Sequence, residues 1–219
     1  MKSQRFGIEI EMTGLTRSAA LIIAKHFDTG FRHERGVYDT YSVCDQDGRK
    51  WKIVRDASIT PQCGNRFDYD PDYKVEVVSP ICHYEDIETI QSIVRELRRN
   101  GHAKVNESCG IHIHVDASKH TARSLRNIAK VEQADIEING ITLITFKALK
   151  VRPQREVRFC KKIDDDFLEM LNRKKPKDIE EVENLWYDGN TSRKYEHYDD
   201  SRYHALNFHS VFSKGTIEF

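Results

Sequence analysis

The stretch Phe6–Met12, FGIEIEM, constrains this chain more than any other. Phe6, Ile8, Ile10 and Met12 alternate with Gly7, Glu9 and Glu11. Successive side chains of a strand point to opposite faces, so the alternation predicts one apolar face and one carrying two carboxylates roughly 6–7 Å apart. Like charges on one face repel. A divalent cation beside them would turn that repulsion into binding, because carboxylate oxygens suit hard ions such as Mg²⁺. Taken alone, the same seven residues read more plainly as an edge strand with two solvated glutamates.

The rest of the composition narrows the classes. A chain of 219 residues can bury a substantial core as one large domain or two small ones. Its 35 Lys and Arg balance 35 Asp and Glu, which argues against broad electrostatic binding to nucleic acid or to an anionic membrane. No apolar run approaches the roughly 18–20 residues that span a bilayer. The start, MKSQRFGIEI, lacks a signal peptide's apolar segment. Five scattered cysteines without CxxC fit neither a disulfide framework nor a four-cysteine zinc site, so the expectation is reduced thiols in a cytoplasmic protein.

Further elements follow in order. Arg17–Phe27 reads as a short helix, with Thr16 or Thr13 available to cap it. The turn-like DQDG at 45–48 predicts a hairpin into Trp51–Arg55, followed by DASIT with Asp56 and Ser58 at a strand end. Pro61–Pro71 reads as loop and Tyr73–Ser79 as strand. Glu85–Asn100 has the best helical periodicity, stopped by Asn100-Gly101. CGIHIHVD, Cys109–Asp116, repeats the opening alternation with His112, His114 and Asp116 on one face. A helix is expected across Ser118–Ala134, whereas Ile138–Leu149 fits helix or strand. From 153 to 202 charged residues dominate, with helices near Asp164–Asn172 and Lys177–Trp186, readable as a lid, an insertion or a solvated flank. Ala205–His209 and Thr216–Phe219 turn back to strand.

These strands share one design. Glu9 and Glu11, Glu76, His112 and His114, Asn207 and His209, and Glu218 all fall on polar faces. One antiparallel sheet would gather them into an ion-binding floor, with helices on its apolar side, an α+β architecture. Competing chemistries have less support. GxxxxGK[ST], GxGxxG and HEXXH are absent. Cys109 with His112 and His114 could bind zinc or act as a nucleophile, but Cys109 has the parity of the apolar face and no triad is evident.

Taken together, FGIEIEM, WKIVRDASI, VEVVSPI, CGIHIHVD, VRFC, RYHALNFHS and GTIEF, in this order over nearly the whole chain, resemble the amidoligases. That family lies within the superfamily of glutamine synthetase and glutamate–cysteine ligase. The resemblance implies a mainly antiparallel curved sheet of glutamine-synthetase-like type that binds ATP and Mg²⁺, or Mn²⁺. A carboxylate would be activated as an acyl phosphate and attacked by an amine to give an amide; the partners are therefore a small molecule, peptide or protein supplying those two groups. It implies metal ligands at Glu9, Glu11, Glu76, His112 and Glu218. His114 would meet a phosphate, Arg202 and Asn207 would lie near nucleotide or substrate, and Arg158 or Arg155 would neutralise phosphate. Glu9, Glu11, Glu76, His114 and Arg202 form the implied catalytic set. The family pattern continues past GTIEF with an arginine, so the implied domain spans 1–219 and extends beyond Phe219. A catalytically silent ligase-like binding domain, or a metal-dependent hydrolase or phosphotransferase on the same residues, are the alternative readings.

Overall fold

A computed structural model describes residues 3–63, 66–67, 73–133, 137–138, 141–142, 160–196 and 198–219. The chain divides into two compact units, Met1–His114 and Val115–Phe219. The architecture is α+β, as the alternating stretches and the amphipathic periodicities together predict.

In the first unit the opening alternation becomes β1 (Phe6–Met12), followed by α1 (Thr16–His26). Next come β2 (Phe31–His33), β3 (Tyr41–Cys44) and β4 (Lys50–Val54), then a small separate hairpin of β5 (Gln62–Cys63) and β6 (Arg66–Phe67). β7 (Val75–Val78) and α2 (Ile87–Asn100) lead to β8 (Ile111–Asp116), whose last two residues belong to the second unit. Six of the seven strands of the main sheet come from this unit, in the order β8-β1-β7-β4-β3-β2, and the pairs β1/β7, β7/β4, β4/β3 and β3/β2 are antiparallel.

One face of this sheet is covered by the two helices. α1 buries Thr16, Ala19, Ala20, Ile23 and Ala24, a stripe at helical spacing. α2 buries Ile90, Ile93 and Leu97. Met12, Val43, Trp51, Ile53, Val75 and Val77 meet them from the strands. Neither threonine caps α1: Thr16 lies inside the helix and donates to Asp39 Oδ2, and Thr13 donates to the Lys104 carbonyl. Position 101, which caps α2, has room only for glycine, since a Cβ there would lie 2.7 Å from the Leu97 carbonyl oxygen and 2.8 Å from Ile22 Cδ1. The DQDG turn is pinned by Asp45, which accepts from the Asp47 and Arg49 N–H groups, while Arg49 reaches Asp86 with two bonds of 2.9 Å. That pair ties the β3–β4 hairpin to the turn before α2.

The second unit is mainly helical: α3 (Ala122–Gln133), α4 (Asp165–Lys174), α5 (Ile179–Trp186) and α6 (His209–Lys214). It also holds a short ribbon of β9 (Glu137–Ile138) and β10 (Ile141–Thr142), and the terminal β11 (Thr216–Glu218). Leu125, Ala129, Phe167, Leu171, Val182, Leu185, Leu206, Phe208 and Ile217 make its core. α4 and α5, from the charged 153–202 stretch, therefore each bury an apolar face. The strand expected over Ala205–His209 does not form. Every residue from Leu206 to Val211 is buried, so the alternation is one of residue type and not of exposure. Asn207 makes a single bridge to Glu218, its Oδ1 accepts from the Ser210 N–H, and the chain turns into α6.

Candidate functional site

Glu9 and Glu11 lie on the face of β1 turned away from α1 and α2, because Phe6, Ile8, Ile10 and Met12 face the core. Register then brings other strands' side chains to them. Glu11 stands opposite Glu76 on β7, which stands opposite Val54 on β4. Two residues past Val54, with the same parity, comes Asp56. Oxygens of Glu11, Asp56 and Glu76 all lie within 4.8 Å of one another. From β8, His112 Nε2 is 3.5 Å from Glu11 Oε1, and His114 Nε2 is 3.5 Å from Glu9 Oε1. The Gly110 N–H donates to Glu11 Oε2, and the Ser58 N–H donates to Asp56 Oδ1 at 2.7 Å, which orients both carboxylates.

The electrostatics fit a bound cation. Burial first, then the charges of Glu9, Asp56 and Glu11, push the Glu76 carboxyl up to about 8, against an opposing effect of His112. The repulsion that raises Glu76 is relieved by a proton or by a cation among the three carboxylates. Glu11, Asp56 and Glu76 would hold a divalent cation such as Mg²⁺ through oxygen, and the cation would neutralise the charge gathered there. The donors are oxygen-rich and hard, which favours Mg²⁺ or Mn²⁺ over zinc. Cys44, Cys82, Cys109 and Cys160 form no disulfide.

The structure thus brings together Glu9, Glu11, Glu76, His112 and His114 in the first unit. Asp56 is the ligand candidate that reading the strands alone misses; its signal was present in the parity of 52, 54 and 56. Ile111 and Ile113, on the other face of β8, are 60% and 38% exposed, so the apolar parity of that strand does not mark a covered face.

Glu218, Asn207 and Arg202 belong to the second unit. Glu218 is buried, and its Oε2 accepts from Ser210 Oγ and, at 3.2 Å, from Asn207 Nδ2. Asn207 also donates its N–H to the Glu218 carbonyl at 2.8 Å. Beneath α6, buried Tyr187 meets His209 Nδ1 at 2.7 Å. Burial raises the tyrosine and lowers the imidazole relative to their ordinary pKa values. Arg202 closes a short 3₁₀ turn, Asp200–Arg202, next to Asp199, which Arg193 grips with two bonds of 2.7 and 3.0 Å. Arg155 and Arg158 lie outside the described residues.

No helix among the described residues is long and apolar enough to cross a membrane. No curated protein and no solved structure matches the chain. A family model described as "Putative amidoligase enzyme" matches residues 2–219, and the chain belongs to that amidoligase family.

Proposed function

We propose that this protein is an ATP- and Mg²⁺-dependent carboxylate–amine ligase. In this reading a substrate carboxylate is activated as an acyl phosphate and an amine displaces phosphate to leave an amide. The observation that carries it is the convergence of Glu11, Asp56 and Glu76 on one sheet face of an amidoligase-family chain. Mg²⁺, when bound, supplies charge neutralisation for phosphoryl groups.

The chain's own residues divide the work by position. Glu11, Asp56 and Glu76 hold the cation through oxygen, and Glu9 with His114 offers a neighbouring donor pair on the same face. His112 stands against Glu11 and takes the role of a nitrogen ligand or of an orienting partner for that carboxylate. His114 is assigned to a phosphate oxygen. Glu218 as a ligand, and Arg202, Asn207 and Arg158 as nucleotide- or substrate-binding residues, enter through family likeness.

Calorimetry with Mg²⁺ and then with Mg·ATP, followed by mass spectrometry of products from mixed carboxylates and amines, tests the reading. Glu11→Gln is expected to weaken Mg²⁺ binding at least tenfold and to abolish ATP turnover. Unchanged metal binding in Glu11→Gln and in Glu76→Gln would remove the metal assignment. A folded wild-type chain that binds no Mg·ATP would mark a silent binding domain, and phosphate release without an amide product would mark a hydrolase.

A further inference from the structure

The polar face does not end at the carboxylates. Register carries it on across the sheet in one row, Glu9 opposite Val78, Val78 opposite Lys52, Lys52 opposite Ser42, and Ser42 opposite Arg32. Trp51 and Ile53 are buried against the helices, so Lys52 points the other way, onto the face that holds Glu9 and Glu76. The row therefore runs from anionic to cationic.

The cations on and around this row are not equivalent. Lys50 and Arg32 both pair with Glu34, at 3.4 and 3.8 Å, and Ser42 donates to the same carboxylate. Lys74 Nζ is taken up by the Ala57 carbonyl at 3.4 Å, and Arg55 Nη2 by the Val37 carbonyl at 2.8 Å. Lys52, exposed, makes no ion pair with any described residue. Two strand spacings, roughly 10 Å, separate its backbone from that of Glu9. A lysine arm of about 6 Å is long enough to carry the ammonium across Val78 toward the carboxylates.

We propose that Lys52 contacts a phosphoryl oxygen of a ligand whose other oxygens meet the cation held at Glu11, Asp56 and Glu76. The inference rests on the metal-site reading above and adds a residue to it. A lone ammonium on a flexible stem is a point charge, a form suited to phosphate, whereas paired recognition of a carboxylate favours arginine's planar fork. The intervening Val78 is small and uncharged, so no side chain stands between the ammonium and the acidic end of the row, where a ligand anion would meet the cation. Glu34 meanwhile holds Lys50 and Arg32 at the far end, which keeps them from forming a diffuse basic patch.

The experiment compares wild type, Lys52→Ala and Lys52→Arg by calorimetry with Mg²⁺ alone, then with ATP, inorganic pyrophosphate and glutamate at saturating Mg²⁺. Lys52→Ala should leave Mg²⁺ affinity within about twofold while weakening ATP and pyrophosphate roughly ten- to hundredfold, with Lys52→Arg recovering part of the loss. Phosphate affinities within twofold of wild type would overturn the proposal, as would a wild type that binds Mg²⁺ but neither phosphate probe. A loss confined to glutamate would also overturn it. Glu11→Gln, run alongside, reports separately on the metal site, because its failure appears in the Mg²⁺ titration and that of Lys52 in the phosphate arms. A thermal melt of each variant checks that the exposed substitution leaves the fold intact.

Discussion

Glu76 in the first unit and Glu218 in the second are both glutamates on short strands within a conspicuous motif, yet their surroundings differ in kind. Glu76 is set among other acids, Glu9, Glu11 and Asp56, and its charge is disfavoured. Glu218 is buried among neutral donors, Ser210 Oγ and Asn207 Nδ2, which solvate its carboxylate in place of water. Removing an acid should therefore have opposite effects in the two places. The first arrangement stores repulsion that a cation can relieve, and the second is already part of the packing of its unit.

The largest expected effect breaks the second arrangement. Glu218→Ala strands the Ser210 hydroxyl and the Asn207 amide beside a void, at a cost of about 2–4 kcal/mol. Urea denaturation in EDTA measures it. Glu218→Gln, which keeps an acceptor, should cost much less. Equal stability of Glu218→Ala and wild type would mean that the buried hydrogen bonds do not hold this carboxylate as described.

Glu76→Gln should move stability the other way when metal is removed. The folded chain keeps the Glu76 proton up to about pH 8, while the unfolded chain loses it near the ordinary value of 4.5. Between those values the native state binds more protons, so its stability falls as pH rises and the loss is complete above about pH 8. In EDTA at that pH, Glu76→Gln should gain on the order of 2 kcal/mol, allowing for solvent screening of a half-buried group. The gain should vanish near pH 4.5. Adding Mg²⁺ should reverse the order of the two proteins, because only wild type offers the cation a full carboxylate set. A melting temperature that is flat with pH in wild-type EDTA samples would contradict the repulsive cluster.

Particular residues show what could be read before folding and what could not. Glu9, Glu11, Glu76, His112 and His114 were legible because strand parity is strict and each sits beside apolar neighbours of opposite parity. Asp56 has the right parity but lies past the end of β4, where a pattern alone does not say that the chain stays extended. Ser210 and Tyr187 carried no signal: one lies in a six-residue helix and the other just past α5, and only tertiary packing sets them against Glu218 and His209. Ala205–His209 misled because Leu206 and Phe208 alternate with Asn207 and His209, while the fold buries all four. Thr13 and Thr16 were plausible caps by type, but each hydroxyl has a distant partner that local sequence cannot reveal.

The smallest effect sharpens the comparison inside the second unit. Tyr187 and His209 form a neutral buried pair, with burial raising the pKa of the phenol and lowering that of the imidazole, so neither group gains from ionising near neutral pH. Tyr187→Phe removes one partner and leaves the His209 nitrogen to find another, at about 1 kcal/mol. Because the folded imidazole titrates below its ordinary value, its neutral form is the one the fold stabilises. That contribution is present above the unfolded pKa and is lost as pH falls through that value toward the folded one. The cost of Tyr187→Phe should thus be the same at pH 7 and pH 8, whereas that of Glu76→Gln changes with pH over the range in which Glu76 titrates. Thermal melts at the two pH values, with nuclear magnetic resonance of the His209 ring, separate these behaviours. A Tyr187→Phe penalty that changed between pH 7 and pH 8 would place a charged group in this pair and undo the contrast between a neutral hydrogen-bonded pair in the second unit and a cluster of repelling acids in the first.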